Sequence, residues 1–141
     1  MGAYAAVIPL FVKKLMQHES PVINGDGKYS RDFTHIDNVI QANHLAALVQ
    51  NPDAINQVYN VALNERTTLN ELFELLCELL KLSGRKPLYR EFRPGDVLHS
   101  QADISLAGSL LGYQPPHRIR DGLKESLAWY LAEQKQKPGT T

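Results

Sequence analysis

The stretch Gln57-Val58-Tyr59-Asn60-Val61-Ala62-Leu63 decides how the fold is read. Val58, Tyr59, Val61 and Ala62 crowd a short apolar run, the pattern of a strand covered on both faces. A buried parallel strand of this kind needs neighbours along both edges and helices above and below. Few other segments of the 141-residue chain can supply them. The sheet is therefore expected to be unfinished: either the protein pairs with itself through that edge, or the chain is a fragment of a longer one.

Around this stretch the patterns alternate between helix and short strand. Upstream, Ile8, Phe11, Val12 and Leu15 recur at one-face helical spacing over residues 7–16, with Pro9 tolerable only in the first turn. Val22-Ile23-Asn24 then runs into Gly25-Asp26-Gly27, a short strand and a tight loop. Residues 30–36 suit a second short strand, and Ile36, Val39, Ile40 and Ala47 give the expected buried face of a helix that ends before Asn51-Pro52-Asp53.

Downstream, Thr68 with Glu71 forms a capping-box pattern, followed by Leu69, Leu72, Phe73, Leu76 and Leu80 on one helical stripe. The lone Cys77 falls in that stripe and reads as core filler. Residues 88–92 look like a strand, and Asp103 caps a short helix that Gly112 ends. Leu123, Leu127, Tyr130 and Leu131 mark a last helix, and the polar tail at 135–141 is expected to be flexible. The organisation is one α/β unit over residues 1–134.

Composition narrows the function classes. Fifteen basic residues balance fifteen acidic ones, which argues against nucleic acid or an anionic membrane as partner, so any anion site must be local. One cysteine excludes an internal disulfide and fits a reducing compartment, with the cytoplasm as default. The apolar run at 4–12 is too short to span a bilayer and lacks the flanks of a signal peptide.

The explicit catalytic patterns are absent from the sequence: no Gly-x-Gly-x-x-Gly, no P-loop, no Gly-x-Ser-x-Gly, no His-Glu-x-x-His. None of the six tyrosines has a lysine four residues on, the spacing that lets an ammonium lower a phenol's pKa for proton transfer. No catalytic residue is assigned. His18, His35, His44, His99 and His117 are scattered without metal-ligand spacing, so no metal site is expected.

Two segments stand out. In Tyr29-Ser30-Arg31-Asp32-Phe33-Thr34-His35-Ile36-Asp37 an arginine follows a glycine-rich turn and a short strand feeds a helix. In residues 92–103 Pro94-Gly95 makes a turn that can hold Arg93 and Asp96 side by side. Chemically the two fit one ligand. Arg31 and Arg93 can clamp a diphosphate through forked donors, and Asp96 can accept hydrogen bonds from ribose hydroxyls. The competing reading is a pair of surface salt bridges, with Arg31 joined to Asp32 or Asp37.

Taken in order, Ser30-Arg31-Asp32-Phe33 with His35-Ile36-Asp37-Asn38-Val39, then Val58-Tyr59-Asn60-Val61, Thr67-Thr68-Leu69-Asn70-Glu71-Leu72, and Arg93-Pro94-Gly95-Asp96 through Asp103 resemble the extended short-chain dehydrogenase/reductases. The similarity is strongest to the UDP-N-acetylglucosamine 4-epimerases and runs over nearly the whole chain. It implies an α/β fold that is the carboxy-terminal substrate-binding lobe of an extended Rossmann-type enzyme, with the dinucleotide-binding half missing and Met1 placed inside the family's sequence. In the family that other half binds NAD and carries the catalytic tyrosine and lysine, so this chain alone is expected to bind no cofactor and to be inactive.

By position, the resemblance puts Arg31 and Arg93 on the diphosphate of a UDP-sugar, Asp96 on the uridine ribose, and Val22 and Asn24 along the uracil through strand backbone. Phe33 stands where relatives often have tyrosine. Ser100 stands where galactose-specific members can carry a bulky residue, and its small side chain leaves room for an N-acetyl group. The expected partner is a UDP-N-acetylhexosamine, together with self-association or pairing with a Rossmann half. A stand-alone UDP-sugar-binding or self-pairing module, and the lobe of a nucleotide-sugar dehydratase, are the alternatives.

Overall fold

The computed structural model describes residues 6–136, and their contacts divide into two compact units. One takes in the chain up to Tyr29, Thr68–Leu98 and the chain from Leu123 on; the other is Ser30–Thr67 with His99–Gly122.

In the first unit, α1 (Val7–Met16) packs on α3 (Leu69–Leu79). The predicted stripes supply the core: Phe11, Val12 and Leu15 from α1, and Leu72, Phe73 and Leu76 from α3, are all buried. Each fully buried side chain of this size contributes about 1.5–3 kcal/mol relative to exposure. The capping box forms as expected, the Glu71 N–H donating to Thr68 Oγ1 at 3.2 Å and the Thr68 N–H to Glu71 Oε2 at 2.7 Å. The Thr68 N–H and the Thr68 hydroxyl both donate to Glu71 Oε2, and they hold the Glu71 carboxyl below its ordinary range.

Both helices end in the same way. After α1 the N–H groups of His18 and Glu19 return to the carbonyls of Leu15 and Lys14; after α3 those of Lys81 and Leu82 return to Glu78 and Cys77. His18 and Lys81 take φ of 58° and 57°, the left-handed cap conformation that usually draws glycine. Cys77 is half-buried, and burial pushes its thiol up, so it remains protonated packing material as expected.

β1 (Val22–Asn24) pairs in parallel with β4 (Leu88–Arg90), in the register Val22 to Leu88, Ile23 to Tyr89 and Asn24 to Arg90. Ile23 is buried, whereas all three residues of β4 are exposed. The predicted strand at 88–92 is thus present but shorter.

The second unit holds α2 (Ile36–Leu48), a 3-10 turn (Pro52–Ala54) and α4 (Ser105–Leu111), with β2 (Ser30–Arg31) paired to β3 (Thr67–Thr68), whose first residue belongs to this unit. Ala42, Ala107 and Tyr113 form its core, with Leu45, Tyr59, Val61 and Ile104 against them. Asp103 Oδ1 accepts from the Ser105 N–H at 2.8 Å, and Gly112 closes α4 at φ 71°. The last helix, α5 (Ile119–Gln136), buries Leu123 and Leu127 but leaves Leu131 44% exposed. Lys135 and Gln136 still lie in α5; the rest of the tail expected to be flexible lies outside the described residues.

Three expectations are corrected here. Residues 57–63 form no strand: Val58 is 91% exposed, and the segment is held by side chains instead of a ladder. The Tyr113 hydroxyl donates to Ala62 O at 3.0 Å, and the Leu63 N–H donates to Asp32 Oδ1 at 2.9 Å. A ladder needs a neighbouring strand, and among the described residues none lies along this segment.

The second correction concerns α2, whose Ile36 and Ile40 are exposed while Asn38 and Ala42 are buried. Sequence periodicity picked the apolar face, but the buried face is the one that carries Asn38. Its amide donates to His117 O at 2.8 Å and accepts from the His117 N–H at 3.0 Å. Third, the strand expected at 30–36 covers only Ser30–Arg31, because Asp32 turns its carboxylate to the N–H groups of Leu63 and Ala102.

Asn38→Ala would remove the partner of both His117 backbone groups and leave a void at a fully buried position. It is predicted to cost about 2–4 kcal/mol, read as a fall in the urea midpoint at unchanged slope.

Candidate functional site

The carboxyl ends of β1 and β4 open onto a cleft of about 440 Å³ lined by Gly25, Asp26, Tyr89, Arg90, Glu91 and Phe92. Small-molecule sites run to roughly 300–1,000 Å³ and favour the carboxyl ends of parallel strands. The loop that shapes this one needs its glycines. Gly25 and Gly27 take φ of 78° and 76°, and a Cβ on Gly25 would lie 2.2 Å from the Phe92 ring. Phe92 also meets Tyr29, ring centres 5.5 Å apart.

A chain of hydrogen bonds steadies the rim. The Tyr89 hydroxyl donates to Asn70 Oδ1 at 3.0 Å, and the Asn70 amide donates to Asp26 O at 3.1 Å. The Asn70 N–H reaches Gly27 O at 3.1 Å. The Asp26 carboxylate accepts from the Lys28 N–H at 3.0 Å, which holds it below the ordinary carboxylate range.

The pairing also orients β1. The Leu88 N–H donates to Pro21 O and the Gly25 N–H to Arg90 O, both at 2.9 Å. Backbone groups alternate in direction along a strand, so Pro21 and Gly25 face β4 while Val22 and Asn24 present their N–H and C=O to the opposite edge. Among the described residues no other strand pairs with that edge.

The remaining predicted site residues fall into two pairs. Gly95 at φ 85° and the Asp96 N–H donating to Arg93 O at 3.3 Å make the expected Pro94-Gly95 turn, which holds Arg93 and Asp96 together in the first unit. In the second unit Arg31 and Ser100 converge on one atom. The Arg31 guanidinium and the Ser100 N–H both donate to Ser30 O, at 2.8 and 3.1 Å. Ser30 Oγ and His99 Nδ1, 2.8 Å apart, fasten the same junction.

The salt-bridge reading of Arg31 is not what forms. Asp32 is engaged by backbone N–H groups, and Asp37 faces His35 and His117. Phe33 is half-buried. The buried Tyr113 phenol is pushed above its ordinary pKa by burial and by the nearby Asp32 charge, the reverse of what proton transfer needs.

Two features escaped the sequence. The cleft depends on residues 25–26 meeting 89–92, which no local pattern signals. His35, Asp37 and His117 gather although 82 positions separate the two histidines, a separation that no local pattern bridges.

Residues 1–62 match the NAD dependent epimerase/dehydratase family. Over that stretch the chain resembles that family. It is 32% identical to a putative UDP-glucose 4-epimerase of Methanocaldococcus jannaschii, over 89% of this chain and 39% of the relative. It is 28% identical to dTDP-glucose 4,6-dehydratase of Haemophilus influenzae, over 92% of this chain and 42% of the relative. The structure matches UDP-N-acetylglucosamine 4-epimerase of Methanobrevibacter ruminantium M1, in complex with UDP-N-acetylmuramic acid, with a TM-score of 0.83 at 38% identity, over 94% of this chain and 41% of that one. The chain thus spans about two fifths of the length of these relatives. Its α/β fold is that of nucleotide-sugar epimerases over this part of their length.

The loop geometry yields a direct test. Gly25→Ala would put a side chain at positive φ against Phe92, and is predicted to cost more than about 1 kcal/mol by thermal or chemical unfolding.

Proposed function

We propose that this chain is the UDP-sugar-binding portion of an NAD-dependent nucleotide-sugar 4-epimerase that interconverts UDP-N-acetylglucosamine and UDP-N-acetylgalactosamine, and that the chain alone turns nothing over. The observation that carries the reading is the outward-facing backbone of Val22 and Asn24 beside the cleft at the ends of β1 and β4. An extended backbone offers alternating donors and acceptors to the edge of a planar amide-like ring, and uracil is such a ring.

The charges suit this division of labour. Two carboxylates, Asp26 and Glu91, against one guanidinium, Arg90, line the cleft and disfavour a diphosphate there, so the base fits the cleft and the diphosphate falls to Arg31 and Arg93, whose forked guanidiniums match phosphate oxygens. Asp96, set beside Arg93 by its turn, accepts from the ribose hydroxyls. Ser100 leaves volume for the N-acetyl group. With neither a Gly-x-Gly-x-x-Gly loop nor a Tyr-x-x-x-Lys pair in its sequence, the chain grips substrate while hydride and proton movement belong to an NAD-binding Rossmann half.

The unpaired segment 57–63 and the exposed Ile36 and Ile40 of α2 suit such a partner, which would supply the strand and the apolar cover they lack. The single cysteine fits a cytoplasmic setting.

Isothermal titration of the chain with UDP tests the clamp. Arg31→Ala and Arg93→Ala should each weaken binding by about tenfold or more, the worth of a charge-assisted hydrogen bond. Ser100→Tyr should spare UDP and weaken UDP-N-acetylglucosamine. Undetectable UDP binding by the intact chain would overturn the proposal, and epimerisation by the chain alone would overturn its inactivity. The dehydratase relative motivates a second reading, a dehydratase lobe, which predicts preference for a thymidine diphosphate sugar in the same titration.

A further inference from the structure

His35, Asp37 and His117 each offer a ligand atom, and these lie within 4.8 Å of one another. His35 Nδ1 is 3.7 Å and His117 Nε2 is 3.6 Å from the same Asp37 oxygen, Oδ2. Tetrahedral zinc with bonds of roughly 2.0–2.1 Å sets its ligand atoms about 3.3–3.4 Å apart. The two histidine–aspartate spacings need to close by only a few tenths of an ångström, and the two histidine nitrogens lie within the same 4.8 Å. We propose that these three residues form a binding site for a divalent transition metal ion of the zinc class, separate from the nucleotide-sugar clamp.

The donors sit on parts of the second unit that fix their positions. His35 is the N-cap of α2, and its ring nitrogen accepts from the Asp37 N–H at 3.4 Å, a long bond that a metal can displace. Gly122 lets the chain pass close to it, for a Cβ there would lie 2.9 Å from His35 Cβ. Asp37 stands in the first helical turn.

His117 is held through its backbone by the buried Asn38, donor and acceptor both. The two rings tilt toward each other with centres 5.1 Å apart. Backbone anchors that bring the donors together before the ion arrives favour a specific metal site.

The donor set selects the ion. Two imidazoles with one carboxylate suit zinc, cobalt and nickel over calcium or magnesium, which prefer all-oxygen shells. The positive end of α2 opposes a cation by about half a charge, and the Asp37 carboxylate offsets it. Three protein ligands leave a fourth position for water or another donor. Bound there, the ion would clip the first turn of α2 to the segment that follows α4 and stabilise the unit by mass action.

Titration of the tag-free 141-residue chain with ZnCl₂ in a non-chelating buffer should show one equivalent bound. His35→Asn keeps a capping side chain, and His117→Asn keeps the backbone bonds to Asn38; each should weaken zinc more than tenfold with unchanged far-UV circular dichroism. His44→Gln, on an exposed position of α2, should bind as the parent does. Co²⁺ should give visible bands of four-coordinate intensity in the parent and not in His117→Asn. Absence of a stoichiometric equivalent, or full affinity in either histidine variant, overturns the site. UDP titration is a separate readout, so failure of this site leaves the clamp proposal standing.

Discussion

The parallel pairing of Val22–Asn24 with Leu88–Arg90 is the constraint on which the candidate site depends. It is only three residues long, yet it fixes three things together. It directs the backbone of Val22 and Asn24 away from β4. It brings residues 25–26 against 89–92 to form the cleft. It also delivers the chain to the turn that sets Arg93 beside Asp96. Short ladders are weak alone, and this one is braced at its buried end by Ile23 and at its open end by the Asn70 bonds to the 26–27 loop.

In the second unit a buried polar side chain does the comparable work. Asn38 is fully buried and exchanges two hydrogen bonds with the His117 backbone, so α2 and the segment after α4 have a defined register. Tyr113 and Asp32 satisfy backbone groups of the 57–63 segment in the same manner. These bonds replace a sheet that the segment does not form, which is why a stretch reading as buried strand can remain irregular and partly exposed.

Elements with strong local signals were legible in the sequence. The stripe from Leu72 to Leu76, the Thr68–Glu71 box and the Gly112 terminator depend on contacts within a few residues, and all three form. The Pro94-Gly95 turn was legible for the same reason. Residues 57–63 were misread because burial of a strand is a property of its neighbours, and the neighbours are not in this stretch. α2 forms where the periodicity places it, but an apolar face and a buried face coincide only where something covers the apolar one; here Asn38 lies inward while Ile36 and Ile40 lie outward. The convergence of Arg31 and Ser100 on Ser30 O, and of His35 with His117, joins positions about 70 to 80 apart, beyond any spacing rule.

In the proposed complex the outward edge of β1 reads a uracil ring while the cleft beside it holds the nucleoside. Backbone amide resonances of the ¹⁵N-labelled chain, followed during titration with UDP, report on that edge directly. The expected shifts are saturable and largest at Val22, Asn24 and the cleft-lining residues Gly25, Asp26 and Tyr89 to Phe92, with Arg93 and Asp96 moving in step. Saturable binding that leaves the Val22 and Asn24 amides unmoved would contradict it.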